Sequence, residues 1–75
     1  MRVEDRHPAV QEVLRFFRFA HLPEPLRSVS QHFSELAYHL ATNAQLDGPE
    51  LTNALRKLLE AKDAAARSAL PREDS

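Results

Sequence analysis

The sequence predicts an all-α fold: a short N-terminal helix followed by an antiparallel two-helix hairpin, assembled into a homo-oligomer. Three observations carry the helical part. Glycine occurs once, at Gly48, in a chain of 75 residues. The β-branched residues Val3, Val10, Val13, Val29, Thr42 and Thr52 are few and never adjacent, so no stretch has the composition of a strand. Leu, Ala, Glu, Arg, Lys and Gln are abundant, all good helix formers, and the apolar residues recur at a 3.6-residue period.

Residues 1–7 (MRVEDRH) are polar and mixed in charge and read as a flexible arm. Pro8 suits the first turn of a helix, where its missing N–H costs nothing. Val10, Val13, Leu14 and Phe17 then mark one face at i, i+3, i+4, i+7, which predicts a helix over about 8–20. Phe16, Phe19 and Ala20 extend the apolar surface to a neighbouring face. Pro23 and Pro25 push Leu22 and Glu24 away from α geometry, so the chain bends over 21–25.

A second helix follows over about 24–44, with Leu26, Val29, Phe33, Leu36, Ala37, Leu40 and Ala44 as its inward stripe. Arg27, Gln31, Glu35, Tyr38 and Thr42 fall on the opposite side. Asn43 to Gly48 reads as a connection, with Asp47-Gly48 its turn signal. Asp47 or Gly48 caps the third helix, Pro49 occupies its first position, and Glu50 complements its dipole. That helix spans about 49–70, with Leu51, Leu55, Leu58, Leu59, Lys62, Ala65, Ala66 and Ala69 facing inward. Pro71 ends it, and 71–75 form a solvated tail. The chain is thus one helical domain over 8–70. Two helices cannot enclose a core from all sides, and a chain this short without cysteine has no disulfide to help it. Self-association is the expected remedy.

Ten Lys plus Arg balance eleven Asp plus Glu, a net charge of −1. That balance argues against wholesale binding of DNA or of an anionic membrane. No apolar run approaches the ~20 residues of a membrane span, and no leader-like segment opens the chain, so a cytoplasmic setting is expected. A single glycine excludes the glycine-rich phosphate loops.

The candidate chemistry is sparse. His32, Glu35 and His39 share a helix face at i, i+3, i+7, but helical zinc sites place their histidines at i, i+4, and a solvated polar face is the simpler reading. Ser28, Ser30 and Ser34 read as exposed helix serines, with no sharp turn to present a nucleophile. Asp47 and Glu50 look like cap residues, and Glu60 and Asp63 alternate with cations. Neither enzyme activity, cofactor nor metal is expected.

Two clusters remain. Arg15, Phe16, Phe17, Arg18, Phe19, Ala20, His21 and Leu22 interleave cations with aromatics. Aromatic faces stack on nucleobases, while guanidinium groups pair with phosphate; the alternative is an oligomer core with a soluble rim. Arg56, Lys57, Glu60, Lys62, Asp63 and Arg67 form the second cluster. Lys62 points towards the apolar side of its helix, where an ammonium either snorkels to an edge, pairs within the assembly, or meets a ligand phosphate.

The segments FAHLPEPLRSVSQHFSEL and GPELTNALRKLLEAKDAAARSALPRE together resemble the hairpin domain of bacteriophage immune-signal sponges, which counter the CBASS and Thoeris defence systems. Phe19, Leu22 and Pro23 reproduce the family's spacing of an aromatic, a leucine and a helix-starting residue. Leu59-Glu60 and the Ala/Arg-rich run from Ala64 to Pro71 reproduce its second helix. The resemblance covers about 16–71, and its motifs are short. It implies a non-enzymatic helical oligomer, typically a hexamer, in the host bacterial cytoplasm. Pockets between its protomers would sequester cyclic di- or trinucleotides or cyclic ADP-ribose isomers.

By position, Phe19 would be the base-stacking aromatic, and Arg56 and Lys57 would be phosphate or base contacts. Arg15, Arg18, Phe19, His21 and Arg27 would form one ligand-binding wall, and Arg56, Lys57 and Lys62 the other. The sequence departs from the family in two places. Ser34 stands nearest to the lysine the family often carries in its first hairpin helix, leaving Arg27 as the substitute, and 8–19 are additional. The alternative is a helical protein-interaction or structural oligomer with no nucleotide ligand.

Overall fold

Proline and glycine set the breaks between elements, and the apolar spacing sets which faces meet. A computed structural model describes residues 1–70. The tail expected at 71–75 lies outside the described residues. Three α-helices, α1 (Pro8–Leu14), α2 (Leu26–Ala41) and α3 (Pro49–Ser68), are accompanied by 3-10 turns at Val3–Asp5 and Arg15–Phe17. No strand occurs among the described residues.

Pro8 begins α1, and His7 caps it by accepting a hydrogen bond from the Ala9 amide on Nδ1 at 3.0 Å. The helix is shorter than the periodicity predicts. It tightens into the 3-10 turn at Arg15–Phe17 and becomes extended at Arg18. This tightening resolves the excess of apolar faces: Phe17 is fully buried, whereas Phe16 is 57% exposed. The expected arm at 1–7 is also more structured than its polarity implies, because Arg6 is buried and Val3 packs against the core.

α2 starts after Pro25 rather than at Glu24, yet Glu24 serves the helix start. Its carboxylate accepts from the Ser28 amide at 2.9 Å and from the Ser28 hydroxyl at 2.7 Å. These bonds satisfy one of the amide donors a helix start leaves unpaired. At the other end α2 stops at Ala41 instead of Ala44, and the Thr42 hydroxyl donates back to the Tyr38 carbonyl. α3 begins at Pro49, after Gly48 with φ of 79° and ψ of −175°. Only glycine adopts that conformation readily, and nothing crowds the position, so backbone geometry alone calls for it.

The face that α2 turns inward matches the predicted stripe only in part: Ala37 is buried and Phe33 and Leu40 pack against the core, as expected. Its buried residues are Ser30, Ser34, Ala37 and Ala41. Leu36 is 46% exposed, Ala44 is exposed, and Leu26, Val29, Phe33 and Leu40 are only half-buried. Ser30 and Ser34, read from the sequence as exposed, are therefore core residues. Volume explains the exchange: Leu14, Phe17, Leu51 and Leu55 fill the interior, and small residues on α2 let its backbone approach them closely. On α3 the predicted face holds, with Leu51 and Leu55 buried and Leu58 and Leu59 packed beside them.

Candidate functional site

Two clefts and one internally bonded cation account for Arg18, Phe19, His21, Arg56 and Lys62 among the predicted site residues. Where α1 gives way to extended backbone, Arg18, Phe19, Ala20 and His21 lie across α2, and with Ser34 and Tyr38 they line an open cleft of about 660 Å³. The local sequence explains the arrangement. The 3-10 turn aims Phe17 into the core, and the residues after it run past the α2 face carrying Ser34 and Tyr38, one helical turn apart. The cleft thus offers two aromatic rings, a guanidinium, an imidazole and a hydroxyl.

Arg56 lies elsewhere. A second cleft of about 400 Å³ runs between the start of α1 and the start of α3, lined by Arg6, His7, Val10, Asp47, Leu51, Asn53, Arg56 and their neighbours. The other side of Arg56 borders a smaller recess with Glu12, Phe16 and Leu59. No residue lines both the Phe19 cleft and either Arg56 recess. Arg56 and Phe19 therefore line different recesses, whereas Lys62, placed in the same wall as Arg56, reaches the Phe16 carbonyl between Arg15 and Arg18.

The remaining candidates divide by what their charges already touch. Arg15 pairs with Glu12 at 3.3 Å and Arg27 with Glu24 at 3.8 Å, both on exposed surface. Lys57 is exposed on α3. Lys62 is committed to the chain itself. Its ammonium donates to the Phe16 carbonyl at 2.6 Å and stands 5.9 Å from the centre of the Phe17 ring, with its side chain 11% exposed. Of the sequence alternatives for Lys62, this geometry is pairing within the protein. The hydrogen bonds and nearby Arg27 also act on the Glu24 carboxyl: chiefly the Ser28 hydroxyl, then the Ser28 amide and Arg27, hold it below the usual carboxylate range.

Arg6 is the residue that sequence reasoning missed. It is 5% exposed, and its Nε donates to the Ala41 carbonyl at 2.7 Å while Nη2 donates to the Asn43 carbonyl at 2.6 Å. Its Nη1 stands 3.6 Å from Asp47, whose side chain is 92% exposed, so the ion pair adds little beside the two carbonyl bonds. Arg6 ties the N-terminal segment to the end of α2. The only sequence signal for it is indirect: the end of α2 leaves carbonyls that need a donor. Ser34 and Tyr38 were likewise not placed with the aromatic-cation cluster.

Among the described residues, no group of three or more His, Asp or Glu side chains is placed to hold a metal ion. No helix among them is long and apolar enough to cross a membrane. No protein-family model matches the chain, and neither a curated protein nor a solved structure matches it.

Proposed function

We propose that the protein is a non-enzymatic, self-associating helical binder that sequesters a cyclic nucleotide signal, with α2 and α3 forming an antiparallel hairpin. The observation that carries this reading is the cleft shared by Arg18, Phe19, His21, Ser34 and Tyr38. Aromatic faces accept any nucleobase by stacking, and a guanidinium beside them complements phosphate. The volume falls in the range of small-ligand sites, about 300–1,000 Å³.

The open cleft fits a ligand closed over by a second copy, with Arg56 and Lys57 of that copy as the opposing wall. A hexamer in the cytoplasm of an infected bacterium, with cyclic di- or trinucleotides or cyclic ADP-ribose isomers as ligand, is the form that the sponge resemblance implies. Lys62 belongs to the scaffold in this reading, because a charge already bonded to Phe16 would have to leave that carbonyl to reach a phosphate.

Isothermal calorimetry with a panel of these cyclic nucleotides tests the proposal. Submicromolar binding by one member is expected, returned chemically unchanged. Phe19→Ala and Arg18→Ala should each weaken it at least about tenfold, the scale of one lost stacking or phosphate contact, with the assembly mass unchanged. No binding by any panel member to a folded assembly rejects the reading. The rival reading, a helical interaction module without a nucleotide ligand, draws on the large apolar side chains that α2 leaves half-exposed; it predicts assembly with no response to any nucleotide.

A further inference from the structure

The N-terminal segment covers only one side of the helix pair. On α2, Ser34 and Tyr38 line the cleft with Arg18 and Phe19. On α3, Thr52, Arg56 and Leu59 line the recesses shared with α1. At about 100° per residue, the opposite side of α2 carries Val29, Leu36 and Leu40, with Phe33 at its edge. The opposite side of α3 carries Ala54, Ala61 and Ala65, with Leu58 between the first two. Leu40 and Ala54 border a common recess, which places these two sides next to each other.

The uncovered face is apolar and has a definite relief. Val29, Phe33, Leu36 and Leu40 follow a heptad-like 4-3-4 spacing, and Leu36 at its centre is 46% exposed. Ala54 and Ala61 are exposed and Ala65 half-buried. A ridge of large side chains on α2, of which Phe33 and Leu40 also touch the core, therefore runs beside a lower α3 stripe, a trough where alanines surround a Leu58 that is itself half-buried against the core. Such a face is its own complement. Rotating a second copy by half a turn about an axis parallel to the helices places each ridge over the other copy's trough.

The area also fits a second copy. Sixteen residues of α2 are about 24 Å long, and two helix widths span about 18 Å. Counted on both copies the patch is about 900 Å² in projection, and helix corrugation brings it to the roughly 1,000 Å² of a specific interface.

We infer that the Val29–Phe33–Leu36–Leu40 ridge docks in the Ala54–Ala61–Ala65 trough of a second copy across a two-fold seam. This rests on the self-association and the hairpin proposed above, and not on the nucleotide. The two ridge-in-trough contacts are equivalent by symmetry, so the contact closes on itself and makes a dimer or an even-numbered assembly.

Sedimentation equilibrium of the full chain, with Leu36→Glu and Ala61→Glu as variants, tests the seam. Both positions are solvent-facing, and circular dichroism checks that the variants stay helical. The wild type should be an even-numbered assembly, and each variant should raise the dissociation constant of the seam by more than about 30-fold, the scale of one lost hot spot. The chain has no cysteine, so mixing Leu36→Cys with Ala54→Cys and oxidising should yield the 36–54 heterodimer. Self-linked Leu36→Cys in place of that product means ridge on ridge and overturns the geometry. An assembly whose mass neither glutamate changes overturns the seam but leaves self-association standing. A wild type that is monomeric throughout overturns both, whatever calorimetry finds for nucleotides.

Discussion

Replacing Lys62 by methionine removes the ammonium and keeps most of the apolar stem, which isolates one interaction. In the wild type the ammonium donates to the Phe16 carbonyl at 2.6 Å, the acceptor lying in the 3-10 turn that finishes the N-terminal helical segment. A hydrogen bond from a charged donor contributes about 1.5–3 kcal/mol. The 11% exposure of the side chain leaves little solvent to screen it. The Phe17 ring at 5.9 Å from the ammonium is near the limit of cation–π range, so it adds about 0.5 kcal/mol at most. Asp63, at 3.6 Å and 51% exposed, contributes less.

Lys62→Met is therefore expected to cost about 2 kcal/mol. For a chain of this length that lowers Tm by about 8–16 °C. Urea denaturation followed by circular dichroism reads the stability, and calorimetry on the folded variant reads ligand affinity. Loss of stability with unchanged affinity places Lys62 in the scaffold. A variant within about 0.5 kcal/mol of the wild type would falsify the assignment, since a surface substitution away from any anchoring contact has that effect. Undiminished stability with lost affinity would return Lys62 to the ligand wall.

Two further outcomes follow from the same bonds. Arg6→Met removes the side-chain donor of the Ala41 carbonyl and one of the two donors of the Asn43 carbonyl, which keeps the Leu46 amide, at a cost of about 2–4 kcal/mol in urea unfolding, and hydrogen exchange should accelerate along 1–14 more than along α3; equal acceleration everywhere argues that Arg6 does not tie that segment down. Glu24, whose carboxyl Ser28 holds below the usual range, stabilises the start of α2 at neutral pH and loses that contribution as the pH falls through its lowered folded pKa. Glu24→Gln should therefore flatten the acid limb of a pH–stability profile, and an unchanged limb counts against the cap.

How far the sequence could be read depended on what kind of signal each element carried. The inward face of α3 was legible because one stripe, Leu51, Leu55, Leu58 and Leu59, is both the most apolar and the one that packs. On α2 these properties separate. Its most apolar stripe is centred on the exposed Leu36, with Phe33 and Leu40 reaching only the edge of the core, while Ser30, Ser34, Ala37 and Ala41 are buried in it. Hydrophobicity ranks large residues above small ones, whereas close approach selects small ones, and periodicity alone does not say which criterion an element obeys. Arg18, Phe19 and His21 were legible as a cluster because they are contiguous. Tyr38 and Ser34 join them only through the bend, and Arg6 meets its acceptor 35 residues away, where no periodic pattern reaches.

The geometry also orders the steps by which a site could form. Arg6 and Lys62 are buried or nearly so and bonded to carbonyls of their own chain, so a ligand is left with exposed cations, of which Arg18 and Arg56 line clefts. These two line separate clefts, and in the proposed assembly a molecule touching both lies between copies. The proposed two-fold seam uses the face turned away from the N-terminal segment, whereas both clefts lie on the face that segment covers. One seam therefore holds copies together without closing the clefts, and joining Arg18 to Arg56 requires a second kind of contact on the other side. A two-fold contact combined with a second contact that closes into a ring generates a dihedral assembly, of which a hexamer is the three-dimer case. Leu36→Glu should then split such a hexamer into trimers that still bind nucleotide. If it abolishes binding while the chain stays helical, the ligand pocket lies at the two-fold seam instead, and the Arg18–Phe19 cleft is not its wall.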